Sequence, residues 1–353
     1  MTESRADFAI LGATTQARLV AGLLASVHGK SVVFRGESQA GYRLSRGIDL
    51  SVAPITRPET WALLKAGVPE TVKLIGRIGK HAWTRLDPVF FADAASGREA
   101  LSHVRHMASA FGLAAERAPA SLLGSGRDGL MLRDAVLLRG PLLEPALDRW
   151  LDQHNVLRLP GDAVVTIRED GSAECVTGDD RIEIGQTVLA DDPAILSHLA
   201  TINWPALLRR QVASTILTEP TEPIAAPIMH QLDNGLVLTQ HGDRGIVAFG
   251  PGNVGAFAAA LGTLLGSQRA IRQAGQSSYT RIVTLDGAPA VGRMKGTGPD
   301  VLAGFGAVGA FLAPAIARWL CGVATPGESA WLSARLVDRS GIGSPVGDVG
   351  EQR

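Results

Sequence analysis

The sequence predicts an α/β chain of two joined domains: a Rossmann-like unit with an inserted β-meander, and a second domain built on an antiparallel sheet. Three observations predict it. Asp7 to Glu37 has the length and punctuation of a β-α-β unit. Ala163 to Ala190 carries short strand-like runs around the hairpin signal Asp170-Gly171. Arg209 to Phe249 carries further strand-like runs broken by polar turns, the pattern of an antiparallel platform.

In the first unit, Phe8 to Leu11 is an apolar run that ends at Gly12. Ala17 to Ala25 has apolar residues at helical spacing, Gly29 stops that helix, and Ser31 to Phe34 is the second strand. A dinucleotide turn needs glycines spaced G-x-G-x-x-G so that backbone approaches a pyrophosphate and the helix packs on the strand. The three positions hold Gly12, Thr14 and Ala17, and Thr14 puts a branched side chain at the point of closest approach. Arg35 stands where an acidic ribose ligand is expected, with Glu37 two residues on. A dinucleotide site and a Rossmann-like unit that binds something else or nothing both suit this stretch. Arg35 would also suit the 2′-phosphate of a nicotinamide cofactor.

The chain of 353 residues is long enough for a large core, and its 34 basic and 34 acidic residues leave no net charge. No global field favours nucleic acid or an anionic membrane. The two cysteines, Cys175 and Cys321, have no metal-site spacing and read as structural thiols in a reducing cytoplasm. The N-terminus enters the first strand directly, so no signal peptide is expected. Val301 to Val323 has the length of a membrane span, but Pro314, Arg318 and its early glycines favour a glycine-rich turn feeding a buried helix. His103 and His106 lack a completing carboxylate and read as a solvated helix face.

Along the rest of the chain, Arg43 and Arg46 lie in a Ser, Gly and Arg-rich loop, either as phosphate ligands or as surface arginines. Pro58 to Ala92 mixes helical patterning, at Trp61 to Lys65 and Thr71 to Gly79, with turn residues, and Met107 to Arg133 is loosely patterned. Asp134 to Leu138 reads as a strand and Ala146 to His154 as a helix. Ala163 to Arg168, Ala173 to Thr177, Ile182 to Ile184 and Thr187 to Ala190 read as strands. Arg209 to Leu217, Ile228 to Gln231, Leu236 to Gln240 and Ile246 to Phe249 continue the pattern, and Gly255 to Gly275 reads as one long amphipathic helix region.

Thr280 to Leu320 contains Arg281, Asp286-Gly287-Ala288-Pro289-Ala290-Val291-Gly292, Gly304, Gly309 and Ala313-Pro314-Ala315 in order. This resembles the C-terminal part of the D-amino-acid oxidase, glycine oxidase and sarcosine oxidase family of FAD enzymes. Gly140 to Pro145, Gly242 to Val247 and the N-terminal unit extend the likeness over most of the chain. The resemblance implies noncovalent FAD, since no cysteine stands near Met294. Its site would comprise Gly12, Thr14, Ala17, Arg35, Arg43, Arg46, Val165, Gly304, Gly306, Gly309, Ala310 and Phe311. It also implies that Arg281 clamps a substrate carboxylate while the C–N bond of a small amino acid or secondary amine is oxidised by hydride transfer to flavin.

The implied division is an FAD domain of residues 1–60, 134–200 and 290–340, a substrate domain of 61–133 and 201–289, and a flexible tail of 341–353. A small-molecule substrate is the expected partner, in a cytoplasmic protein that is free to form homo- or hetero-oligomers. Thr14, Arg35 and Ala190-Asp191-Asp192 depart from the family pattern, and all fall at cofactor contacts. Those departures motivate a second reading, a flavoprotein-like subunit or maturation partner whose nucleotide site has decayed.

Overall fold

The computed structural model describes residues 3–37, 44–124, 126–178, 180–199, 202, 204–266, 269, 271–340 and 348. Among these, the first strand, Glu3–Leu11, sits between Asp180–Leu189 and Val32–Arg35 and runs parallel to both. Leu157–Arg158 adds a parallel edge, and Val164–Ile167 with Ala173–Thr177 forms the antiparallel meander at the other side. Thr297–Ala303 joins Asp180–Leu189 in parallel through Val188 and Leu189. Ile10, Val33 and Val188 are almost fully buried, as strands covered on both faces require.

The first helix, Thr15–Ser26, packs on Gly309–Leu320 and on Gly140–Gln153. A Cβ on Gly22 would come within 2.1 Å of the Trp150 ring, so glycine lets the first helix meet Gly140–Gln153 closely. Pro58–Ile78 is one uninterrupted helix that continues past Pro69, where the sequence pattern suggested two shorter helical pieces. Thr71, Trp61 and Ile75 on its buried face hold it to the core despite the helix-breaking residue.

The second sheet runs in the order Gln273–Thr284, Leu208–Thr218, Ile246–Pro251, Leu236–Gln240, Ile228–Gln231, Val89–Ala92, Asp128–Leu132, Ala115–Arg117. Its first five strands pair antiparallel, and Ile228–Gln231 joins Val89–Ala92 in parallel. The expected helix region from Gly255 to Gly275 is corrected. The helix Val254–Leu265 ends at Gly266, whose φ of 84° breaks it, and Gln273 onward is strand paired along Leu208–Thr218.

Val301 to Val323 divides into strand, turn and helix, and no helix among the described residues is long and apolar enough to cross a membrane. His103 lies within 4.0 Å of Glu99 on an exposed helix face, and the described residues hold no metal-binding cluster.

Candidate functional site

The elements expected to hold a cofactor do converge. The turn Gly12 to Ala17 leads into the first helix, and Gln16 lies against Gly309 at the start of Gly309–Leu320. Thr15 Oγ1 donates to Asp49 Oδ2 at 2.6 Å, which brings the short strand Asp49–Leu50 to the same place. Gly304 and Gly306, with φ of 70° and 51°, form the turn before that helix, and Gly304 lies beside Thr284 at the end of the Arg281 strand. Ala310 and Phe311 are fully buried, and the Phe311 carbonyl packs against Gly67 and Thr71 of Pro58–Ile78. They belong to the helix packing.

The first turn is engaged by the chain itself. Asp191 Oδ2 accepts from the Ala13 N–H at 2.5 Å, while Oδ1 caps the helix Asp192–His198 by accepting from Ala194 N–H at 2.9 Å. The carboxyl carbon of Asp191 would be 3.0 Å from a Cβ on Gly12. Thr14 caps the first helix through the Ala17 N–H. Arg18, only 2% exposed, donates from Nη1 to the Ala13 carbonyl and pairs with Glu144 at 3.0 Å and Asp148 at 2.9 Å. Its charge is spent on those partners.

Two carboxylates, Asp49 and Asp191, therefore stand at the N-terminus of the first helix, where an anion would be received, and Asp192 adjoins Asp191. Removal from water pushes Asp49 up to about 6, against the opposing hydrogen bond from Thr15. The same cause, with a hydrogen bond from Ile282 N–H opposing it and the Asp191 charge reinforcing it, pushes Asp192 up to about 6. Burial also raises Asp191, and the Ala13 and Ala194 N–H groups and Arg46 and Arg18 draw it back.

Arg35 turns away from the first turn and donates to the carbonyls of Ala163 and Gly161, both at 3.0 Å, tying its strand to the meander that carries Val165. Arg46 stacks over the Tyr279 ring at 5.0 Å, and the Tyr279 hydroxyl donates to the Arg46 carbonyl. Arg281 Nε donates to Gln211 Oε1 at 2.7 Å on the neighbouring strand, and its charge lies near enough to favour ionised Asp192. Arg43 lies outside the described residues. The sequence reading missed Arg18, Asp49 and Gln16. A charged residue inside the apolar run Ala17 to Leu24 was the available signal for Arg18.

Compared as a sequence, the chain matches no family model and no curated protein. Its fold matches solved structures over nearly the whole length. L-proline dehydrogenase from P. horikoshii superposes with a TM-score of 0.75 at 14% identity, over 96% of this chain and 98% of that one. That superposition decides the fold. The fold is that of the amino-acid oxidases. Glycine oxidase from Geobacillus kaustophilus gives 0.68 at 16% identity, covering 96% of each chain. L-amino acid deaminase from Proteus myxofaciens, in complex with anthranilate, gives 0.70 at 12% identity, over 93% and 92%. The expected two-part α/β architecture is thus borne out for an amino-acid-oxidase fold.

The residues present do not suit the diphosphate of FAD. A dianion at the first turn would face Asp49 and Asp191, compete with Asp191 for the Ala13 N–H, and find Arg18 already paired.

Proposed function

We propose that this chain keeps an amino-acid-oxidase fold as a subunit or assembly partner of another protein and works without a bound dinucleotide. The observation that supports this best is the bond from Ala13 N–H to Asp191 Oδ2, an internal carboxylate on the turn where a dinucleotide's phosphate is expected. A carboxylate so placed satisfies the donor and repels the ligand in one step.

Visible absorption of the purified chain, followed by titration with FAD read by flavin fluorescence, tests the proposal. No flavin in the preparation and no uptake is the expected outcome, together with co-purification of a defined partner. Stoichiometric FAD in the isolated chain would sink it.

One observation favours a second reading, an FAD-dependent oxidoreductase acting on the C–N bond of a small amino acid or secondary amine. Gln16 Nε2 is buried beside Gly309 with no hydrogen-bond partner among the described residues, a donor that a ligand acceptor would satisfy. In that reading Arg281 would hold the substrate carboxylate by paired charge-assisted bonds. Arg281→Ala would then raise KM at least tenfold, and an unchanged KM would remove the clamp.

A further inference from the structure

Gln273–Thr284 is an outer strand of the second sheet and pairs only with Leu208–Thr218 among the described residues. It has 12 residues, whereas the other outer strands of the two large sheets, Val164–Ile167, Leu157–Arg158, Ala290–Met294 and Ala115–Arg117, have two to five. From Gln273 to Thr280 it carries neither a charge nor a proline. Shortness, charge and proline are the devices that keep an open edge from pairing with another chain, and this run uses none of them.

Along an antiparallel strand, one residue bonds to the neighbouring strand and the next turns its backbone groups the other way. Leu285 N–H donates to the Leu207 carbonyl at 2.9 Å, which sets the odd-numbered residues inward, and Ile282 N–H is held by Asp192 on the outer side. Gln276, Ser278 and Thr280 therefore turn their N–H and C=O groups outward, and among the described residues none of these groups is hydrogen-bonded. All three residues are exposed. Ser278 Oγ lies 2.8 Å from Ser214 Oγ, so its side chain is anchored to the neighbouring strand while its backbone stays open. The open run has two definite ends. A register shift at Leu217 and Thr218 interrupts the ladder beyond Gly275, and Asp192 closes the edge at Ile282. Ser278 is the midpoint.

We propose that this edge joins a second copy of the chain, the two strands running antiparallel about a two-fold axis at Ser278. In that register Ser278 faces Ser278 of the second copy, and Gln276 faces its Thr280. Each opposed pair exchanges two backbone bonds, so every open donor meets an open acceptor. An identical strand brings the same three open residues between the same two stops, which is why a second copy fits better than an unrelated strand. Charge agrees with the register: Arg281 falls opposite Gly275 of the second copy, and no like charges meet. One sheet then continues through both copies. This inference goes beyond the proposed function and does not depend on whether flavin binds.

Sedimentation equilibrium of the full-length chain at micromolar concentration tests it. A dimer is expected, and a monomer would overturn the proposal. Gln276→Lys with Thr280→Lys sets like charges opposite each other and should weaken dimerisation at least tenfold. Gln276→Glu with Thr280→Lys sets opposite charges together and should dimerise at least as tightly as the wild type. An unchanged dimer in the first variant, or an equal loss in both, would defeat the register. Should a variant not fold, hydrogen exchange of the wild type decides: the amides of Gln276, Ser278 and Thr280 should exchange at least tenfold more slowly in the dimer than after dilution to monomer, and exchange that ignores concentration overturns the pairing.

Discussion

Arg18 Nε donates to Asp148 Oδ1 at 2.9 Å, joining the first helix to Gly140–Gln153 directly beneath the first turn. With Glu144 on Nη2 and the Ala13 carbonyl on Nη1, the guanidinium is a buried centre with partners on three sides. Without the arginine the Ala13 carbonyl loses its side-chain donor and both carboxylates lose a close charge partner, although Asp148 keeps Arg158 at 3.0 Å. Arg18→Ala should therefore destabilise the chain by about 3 kcal/mol, measured by urea denaturation. A loss below about 1 kcal/mol would show that solvent readily replaces the arginine.

Asp191 links the same turn to the helix Asp192–His198. Asp191→Ala removes a helix cap and a second backbone bond, with an expected loss of about 2 kcal/mol. The triple variant Thr14→Gly, Asp191→Ala, Asp192→Gly should gain measurable FAD affinity over the wild type. If flavin titration shows no gain, exclusion of the diphosphate by carboxylates is not the reason the site is closed.

Stability should fall as pH rises from about 4 to about 6, because Asp49 and Asp192 have folded values near 6. Across that window the folded state binds more protons than the unfolded one, so the raised groups stabilise at the acid end and lose that contribution on deprotonation. The lowered carboxyls Asp7, Asp87 and Asp286 act below the window: their contribution is present above the unfolded value of 3.8 and is lost as pH falls through their folded values. Asp49→Asn should flatten the decline by about 1 kcal/mol, read from denaturation midpoints at pH 4 and pH 6. An unaltered slope would remove Asp49 as its source.

Gly22→Ala should be destabilising although alanine is the better helix former. Propensity favours alanine by about 1 kcal/mol, but the new methyl group would meet the Trp150 ring within 2.1 Å, and overpacking costs about 1–3 kcal/mol. Adding Trp150→Leu should restore much of the loss. A thermal midpoint unchanged in Gly22→Ala would mean that the two helices separate easily.

The strands Ile228–Gln231 and Leu236–Gln240 are found where their patterns place them, because β-branched and apolar residues there sit in short runs between turns. Ile182 to Ile184 and Thr187 to Ala190 merge into the single strand Asp180–Leu189. Gly185 hid the continuity. It is a weak strand former by itself, yet a Cβ there would press on the Asp7 carbonyl of the neighbouring strand at 3.1 Å. The polar start of Gln273–Thr284 gave no strand signal either, and its state is set by pairing along Leu208–Thr218.

The sequence by itself determined the opening β-α-β unit, many of the strands and the places where the cofactor pattern breaks, because periodicity and turn residues are local properties, and the resemblance of Thr280 to Leu320 to the amino-acid oxidases implied the fold. Only the tertiary structure decided what those breaks mean. Asp191 reaches Ala13 across 178 residues, Arg18 reaches Asp148 across 130, and Arg35 reaches Gly161 across 126. Charge pairing and hydrogen-bond satisfaction act through space, so whether a carboxylate repels a ligand or takes its seat is settled only when the distant strands and helices are packed together.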